Sequence, residues 1–291
     1  MSTTSATIEG GWRYRGREGQ WSYLLNRVAG LAVLLFLAIH ILDTSTVYFF
    51  PDLYSHAIDL YRTTPMMLGE IALVAAVLFH GLNGYKIIYF DQRPDRWNEG
   101  QARRFFWGVI AASVVLWLPA AYLMGRSLYL NNICRCAPES GAPMGLPLWA
   151  DIGVAVVMLA ALVVVSRIVT FRTPEGGLSR NFETWMWLFM RWSGVLLVPL
   201  VWIHVLLNDV IVGVHGITLD YVALRWATIG WRVYDVALLS FTFAHGVNGL
   251  RNVLSDYVQS PAWRAFLPRL LLIGWIAITA IGAAAIVGGV R

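Results

Sequence analysis

The chain has 291 residues, of which 58% are hydrophobic, with a formal net charge of +5 and a mean hydropathy of +0.60. This composition excludes an ordinary soluble domain and predicts a multi-pass protein of the inner (cytoplasmic) membrane. The positive charge indicates no nucleic acid partner, because membrane proteins collect Lys and Arg on their inner loops. The two cysteines, Cys134 and Cys136, are too few for a disulfide framework, and they either pair locally or remain thiols.

The hydrophobic pattern predicts an all-α membrane protein with seven transmembrane helices, each close to the roughly 20 residues that cross a bilayer. In chain order they are predicted at 24–44, 66–90, 104–124, 149–170, 187–211, 231–255 and 266–288. If the amino terminus is cytoplasmic, most of the 22 Lys and Arg residues lie inside, the exceptions being Arg62, Arg126, Arg135, Arg225, Arg232 and Arg291. Because inner segments carry the excess of positive charge, the amino terminus is predicted to be cytoplasmic.

Ionisable residues recur at matching spacings in the two halves of the chain. The first copy comprises Arg27, Gly30, His40, Glu70, His80 and Asp91, and the second comprises Arg191, Gly194, His204, Asp235, His245 and Asp256. In both copies the first His follows the Arg by 13 residues, and the last Asp follows the second His by 11 residues. Ionisable side chains are costly in a bilayer, so their repetition predicts a function.

The repeat also explains the odd number of spans. Each copy is a three-helix unit that starts inside and ends outside, so a second parallel unit requires one extra crossing. We predict the first unit at 1–125, an outer loop with a connector helix at 126–181, and the second unit at 182–291. The connector is the span at 149–170, which carries no His. Parallel repeats of this kind imply a pseudo-two-fold axis along the membrane normal.

The first histidine of each copy is predicted to lie in the outer half of the membrane. Neutral imidazole is a good ligand for haem iron, and a bis-His site needs two helices that present His at the same depth. His40 lies 13 residues beyond Arg27, which is roughly 20 Å along a helix. His204 lies equally far beyond Arg191. Equal depth therefore predicts an outer pair made of His40 and His204.

The second histidine of each copy is predicted to lie nearer the cytoplasm. His80 precedes Asp91, and His245 precedes Asp256, by 11 residues, or about 16 Å of helix. These two histidines form the predicted inner pair, so that each pair takes one His from each half within a four-helix haem-binding core. The glycines that follow His80 and His245 are expected to leave room for a macrocycle.

Other interpretations of the buried histidines stay open at this point. They could hydrogen-bond between helices without binding a cofactor, or form a proton relay, although relays more often include acidic groups near the membrane centre. The chain could also be a transporter without haem, but no helix interrupted by Gly or Pro supports that reading.

Two sets of motifs resemble the cytochrome b membrane-anchor subunits of succinate dehydrogenase (complex II). Ser22-Tyr-Leu-Leu-Asn-Arg27-Val-Ala-Gly30, with His80-Gly-Leu-Asn-Gly84, resembles the larger anchor. Phe189-Met-Arg191-Trp-Ser-Gly194, with His245-Gly-Val-Asn-Gly-Leu-Arg251 and Asp256-Tyr257, resembles the smaller anchor. The resemblance covers roughly 20–110 and 182–280, and the chain therefore looks like both anchors fused in one polypeptide.

The resemblance implies a membrane subunit of succinate:quinone oxidoreductase, placed in the respiratory chain and the tricarboxylic acid cycle. Such a subunit binds haem b and a quinone (menaquinone or ubiquinone) and passes electrons to the quinone from an iron–sulfur subunit. Succinate itself is oxidised by a partner flavoprotein, so this chain is expected to have no succinate-oxidising site. The alternatives are a di-haem cytochrome b of another respiratory dehydrogenase, or a haem-free anchor or transporter. A higher oligomer of the complex is left open.

The resemblance also assigns residues to the cofactors. In members with one haem the iron ligands correspond to His80 and His245, and members with two haems add counterparts of His40 and His204, so two haems are expected. The expected quinone-binding residues are Ser22, Tyr23, Arg27, Asp256 and Tyr257, and the expected haem contacts are Lys86, Arg191 and Arg251. Gln92 follows Asp91 where a Tyr follows Asp256, so the first repeat is expected to lack a quinone site of its own.

Overall fold

The structure is a computed structural model that describes residues 17–136 and 181–290, together with the single positions 156 and 160. Within these residues the chain forms eight α-helices. They are α1 (Glu18–Phe49), α2 (Pro51–Tyr61), α3 (Thr64–Gln92), α4 (Glu99–Leu128), α5 (Phe182–Val205), α6 (Leu219–Ala227), α7 (Ile229–Tyr257) and α8 (Pro261–Gly288). Short π-helical segments, Tyr129–Ile133 and Leu206–Val212, extend α4 and α5.

Five of these segments are long and apolar enough to cross a membrane. They are Glu18–Phe49, Thr64–Gln92, Glu99–Ile133, Phe182–Val212 and Pro261–Gly288. Helix α7 has 29 residues, enough for about 43 Å of helix, but it is less apolar because it carries four charged side chains, Arg232, Asp235, Arg251 and Asp256. The chain is therefore a multi-pass helical membrane protein. The predicted span 149–170 lies outside the described residues apart from positions 156 and 160, and the total of seven spans stays a prediction.

Four long helices form a closed ring, and two others pack outside it. Going round the ring, α1 contacts α3, α3 contacts α5, α5 contacts α7, and α7 contacts α1. Helix α4 packs along α3, and α8 packs along both α7 and α1. Each helix of the ring carries one of the four repeated histidines, so the fold directs all four towards a shared interior.

Two short helices, α2 and α6, occupy segments that lie between predicted spans. Both bury one apolar side, with Tyr54 from α2 and Trp226 from α6 in the same core cluster. The two helices contact each other, and Arg62, just after α2, donates to the Ile217 carbonyl at 2.9 Å. The one-sided apolar pattern, Pro51 at the start of α2 and Thr218 as the cap of α6 are sequence signals that could have identified these helices.

Candidate functional site

The four repeated histidines lie in two close pairs. The ring centroids of His40 and His204 are 6.0 Å apart, with an interplanar angle of 81°. Those of His80 and His245 are 6.4 Å apart, with an angle of 88°. Each pair joins helices on opposite sides of the ring, α1 with α5 and α3 with α7. The interior of the four-helix ring therefore holds two imidazole pairs, one above the other along the helix axes.

These separations suit a metal ion held between the two imidazoles of each pair. An imidazole nitrogen lies about 2 Å from a bound first-row metal, and the ring centre lies about 1.1 Å behind that nitrogen, given C–N bonds of about 1.33 Å. Two rings on opposite sides of one metal therefore have centroids about 6.2 Å apart. Among the described residues, no group of three or more His, Cys, Asp or Glu side chains could hold a bare metal ion. A metal whose other positions belong to a macrocycle fits this ligand set.

Hydrogen bonds orient both imidazoles of the inner pair. His80 Nδ1 lies 3.0 Å from the Asn26 carbonyl oxygen, which only accepts, so Nδ1 carries the proton. The Ser193 hydroxyl donates to the Phe189 carbonyl at 2.6 Å, so its oxygen accepts from His245 Nδ1 at 2.8 Å. In both rings the free lone pair is then on Nε2. A second partner that fixes the tautomer in this way is typical of metal-ligating histidines.

Glycines at corresponding positions of the two halves support the inner pair. A Cβ added to Gly30 would lie 2.8 Å from His80 Cε1, and one added to Gly194 would lie 3.5 Å from His245 Cε1. Gly30 therefore leaves space that the His80 ring occupies. Gly81 and Gly246, which directly follow the histidines, instead make room for neighbouring helices, since an added Cβ would meet Val198 or Leu34.

The outer pair borders a cavity of about 260 Å³ that contains both apolar and acidic side chains. Phe36 stacks on His40, with centroids 5.4 Å apart and nearly parallel rings. The acidic side chains in the wall come from four helical positions, Asp43, Glu70, Asp209 and Asp235. The cavity therefore combines an apolar body with a few polar groups, as cofactor and ligand sites usually do.

Arg225 on α6 is a functional candidate that the sequence analysis missed, since it was counted only among the outer positive charges. Its Nε and Nη2 donate to the two oxygens of Asp235 at 2.9 Å and 2.7 Å, and both side chains are 8% exposed. The Trp226 indole donates to Asp235 as well, at 2.9 Å. Burial disfavours the charge, but the hydrogen bond and charge of Asp235 raise the pKa of Arg225 above its usual value, so the guanidinium stays charged.

At the beginning of α1 and the end of α7, which are predicted to lie inside, three of the predicted quinone-binding residues meet. Arg27 forms an ion pair with Asp256, and the Tyr23 hydroxyl donates to the same carboxylate at 3.5 Å. The Arg27 guanidinium lies over the Tyr23 ring, 4.1 Å from its centroid. Tyr257 is 58% exposed and close enough to interact with Arg27. This inner cluster, Tyr23, Arg27, Asp256 and Tyr257, combines hydrogen-bond donors, a cation and a carboxylate at the end of the ring.

Ser22 and Lys86 lie in a separate buried cluster and not beside Asp256. The Ser22 hydroxyl donates to Asn83 Oδ1 at 2.7 Å and accepts from Lys86 Nζ. All three residues are less than a tenth exposed. The structure therefore directs Ser22 towards α3 and its neighbour Tyr23 towards α7, because adjacent residues project about 100° apart on a helix.

A second set of contacts, with its arginines on α5 and α7, corresponds to those of the inner cluster. Arg191 donates to Asp91 at 2.9 Å and 2.7 Å and lies over the Trp187 ring at 4.3 Å, as Arg27 lies over Tyr23. Arg251 donates to both oxygens of Glu183 at 2.8 Å. A cavity of about 440 Å³ is open beside these side chains. Both arginines predicted to contact haem thus already have a carboxylate partner.

Comparison with known proteins assigns the family. The sequence model of the succinate dehydrogenase/fumarate reductase transmembrane subunits matches residues 12–120 and 171–285, which is most of the chain. This chain belongs to that family. It is also similar to the succinate dehydrogenase 2 membrane subunit SdhC of Mycobacterium tuberculosis, with 36% identity over 136 residues. That alignment covers 97% of the mycobacterial protein but 44% of this chain.

Membership of the family agrees with the resemblance that the motifs indicated, and it makes the chain a membrane subunit of the succinate dehydrogenase/fumarate reductase type. Both matched segments contain one histidine of each pair, His40 and His80 in the first and His204 and His245 in the second. Every histidine of the two pairs thus lies within a segment that the family model matches.

Proposed function

We propose that this chain is the haem b- and quinone-binding membrane anchor of a succinate:quinone oxidoreductase, and that it passes electrons from an iron–sulfur subunit to membrane quinone. The observation that carries the proposal is the pairing of histidines across the ring, with centroids 6.0 Å and 6.4 Å apart. A role in joining helices would not by itself require histidines to face each other in pairs, whereas two opposed pairs at a spacing suited to one iron favour ligation.

In this proposal His80 and His245 hold the inner iron, and His40 and His204 hold the outer iron. Haem b, when bound, would supply a one-electron carrier at each of the two depths. The chain orients the inner ligands through Asn26 and Ser193, whose bonds to Nδ1 make each imidazole a better donor at Nε2.

The cationic residues predicted to contact the haems differ in how many of their N–H donors are still available. Arg191 and Arg251 each have five N–H donors and use only some of them on Asp91 and Glu183, so both can bind a further acid group. Lys86 is buried against Ser22. We keep all three, Lys86, Arg191 and Arg251, as the proposed contacts of the inner haem.

We propose that quinone binds at the inner cluster. Arg27 and the Tyr257 hydroxyl are suited to donate hydrogen bonds to quinone carbonyls. The Tyr23 hydroxyl, whose contact with Asp256 is long at 3.5 Å, can turn to donate to the quinone as well. The Asp256 carboxylate, held by Arg27 and Tyr23, can accept and pass on the protons that quinone chemistry requires. The Ser22 hydroxyl is already engaged by Asn83 and Lys86, so we assign the larger role to Tyr23 and retain Ser22 as a neighbour.

We further propose that the chain is a fusion of two anchors with a cytoplasmic amino terminus and seven spans. The family model matches both halves of the chain, which supports the fusion. The mycobacterial relative supports it as well, because almost its whole length aligns with less than half of this chain. Cys134 and Cys136 form a disulfide after α4, at the end predicted to be outside. Disulfides persist mainly outside the reducing cytoplasm, which supports this orientation.

The proposed partners are the iron–sulfur subunit, and through it the flavoprotein that oxidises succinate. They would dock on the inner ends of the helices, where the inner cluster opens and where Trp97 and Trp263 are exposed. Membrane lipids surround the remaining faces.

The test is a reduced-minus-oxidised spectrum of the purified complex, with haem quantified as pyridine haemochrome. We expect two b-type haems per copy of this chain, both reducible by succinate. One haem would contradict the outer site and leave His80 and His245 as ligands. No haem would contradict the electron-transfer role. Haems that succinate cannot reduce would indicate the cytochrome of another dehydrogenase.

A further inference from the structure

The outer cavity contains a cation that is only partly used. Asp235 accepts from Nε and Nη2 of Arg225, and the Tyr221 side chain is close enough to interact with the guanidinium. Nη1 is buried and has no hydrogen-bond partner among the described residues. A charged group whose buried donors lack partners is costly. A free buried donor that lines a cavity therefore indicates an acceptor that binds there.

The guanidinium is held rigidly, so that Nη1 has a defined position. The two bonds to Asp235 fix its plane, and the group lies over the Trp231 ring, 4.1 Å from the centroid. Trp226 and Arg225 both contact Asp235, which links α6 to α7. An arginine that is already oriented loses little side-chain entropy when it binds a ligand.

The neighbours of Arg225 indicate which ligand it suits. Arg225 and His204 both line the cavity, and the guanidinium is close enough to interact electrostatically with His204. Among the described residues of this wall, Arg225 is the basic one, and the others that carry charge are acidic. A carboxylate that enters the cavity is therefore attracted to Arg225 and repelled elsewhere, and a planar guanidinium is well suited to carboxylate.

We infer that Arg225 is the residue that binds a propionate carboxylate of the outer haem, through Nη1. This inference rests on the proposed function, because it requires a haem between His40 and His204. It gives α6 a role in cofactor binding, and it explains why a charged pair is buried at the outer end of the ring. Arg225 thereby adds an outer counterpart to the cationic residues proposed for the inner haem.

The experiment uses the purified complex, in which the propionate carboxyls of the haem are labelled biosynthetically with ¹³C. Redox-difference infrared spectra and the midpoint potential of each haem are measured. The double variant Arg225→Gln/Asp235→Asn removes the pair without leaving a lone buried charge. We expect the labelled carboxylate band of the outer haem to shift, because the propionate loses its guanidinium partner. The midpoint potential of that haem should change little, because the variant removes one positive and one negative charge. The inner haem should be unchanged.

Two further variants make the result specific. Arg225→Lys keeps a cation for Asp235 but loses the planar guanidinium, so the labelled band should shift while the potential stays close to wild type. If the double variant does not assemble, Arg225→Lys by itself tests whether Arg225 binds the propionate. Arg126→Gln removes an exposed outer cation that does not line the cavity, and it should change neither the band nor the potential.

A labelled band that stays in place in both Arg225 variants would overturn the inference, even if the potential changed. In that result the outer haem would be present, and the proposed function would stand. Loss of the outer haem from the wild type would instead overturn the proposed function together with this inference, so the two failures can be told apart.

Discussion

At the scale of single residues, what distinguishes the four repeated histidines from the other histidines is what surrounds them. His40 and His80 face partners from the other half of the chain, whereas His56 lies exposed on α2. Depth along the helices could be calculated from the sequence, because helical rise is constant. The sequence does not predict the hydrogen-bond partners of the inner pair, Asn26 and Ser193, because these partners depend on how neighbouring helices are rotated.

We predict that His40→Ala removes one haem and spares the other, because it deletes one ligand of the outer pair only. His80→Ala should remove the inner haem. Haem quantification on purified complexes, with spectra that resolve the two haems, measures this. His56→Ala is the matched control and should keep both haems. Equal loss of both haems in His40→Ala would contradict the proposed pairing.

A second residue-scale prediction compares two glycines at corresponding positions. Gly30→Ala should disturb the inner haem site, because its Cβ would lie 2.8 Å from the His80 ring, and overpacking of this kind costs about 1–3 kcal/mol. Gly194→Ala adds a Cβ at an ordinary 3.5 Å from His245 and should be tolerated. The thermal unfolding of the complex and the midpoint potential of the inner haem measure the difference. Similar values for the two variants would argue against this packing.

At the scale of helices, ion pairs join the halves crosswise. Arg27 of α1 pairs with Asp256 of α7, and Arg191 of α5 pairs with Asp91 of α3. Each pair thus takes its arginine from one half and its aspartate from the other. The spacing of these residues was visible in the sequence, but nothing in the sequence indicated that the pairs form between the halves and not within them.

These two ion pairs provide a matched test of the quinone site. We predict that Asp256→Asn lowers the rate of succinate-dependent quinone reduction by about 10²-fold, the scale typical of a lost general acid–base group. Asp91→Asn removes the corresponding pair but should leave the rate near wild type, because Trp187 and Gln92 stand where the inner cluster has tyrosines. Steady-state kinetics of the complex with both variants measures this. A large loss of rate in Asp91→Asn as well would indicate that ion pairs of this kind, including Arg27–Asp256, act by holding the helices together and not by catalysis.

The short helices α2 and α6 are the described helices that the hydrophobic pattern did not predict. Each is much shorter than a membrane span, with 11 and 9 residues, so a search for long apolar segments passes over them. Tyr54 of α2 and Trp226 of α6 lie in one core cluster with residues of α1 and α7. That packing depends on contacts between residues far apart in the chain, which no local pattern contains.

At the scale of the whole molecule, the proposed topology makes a direct prediction about accessibility. In a background of Cys134→Ser/Cys136→Ser, Ser55→Cys on α2 should react with a membrane-impermeant maleimide in intact cells. Gln259→Cys, in the turn between α7 and α8, should react only after the cells are permeabilised. Both positions are exposed in this chain, and the permeabilising detergent is chosen to release the subunits proposed to dock near Gln259, so that access across the membrane decides the result. The reverse pattern would contradict a cytoplasmic amino terminus.

The sequence by itself determined the class of protein, the positions of the six long helices that lie in the described residues, and the residues of the repeat. Apolar length and residue spacing are local properties, and the cost of ionisable groups in a bilayer makes their repetition informative. Only the tertiary structure decided that Ser22 faces Lys86 while Tyr23 faces Asp256, and that Arg225 is buried beside the outer pair. Those outcomes depend on helix rotation and on packing between distant segments, where a turn of about 100° between adjacent residues changes every partner.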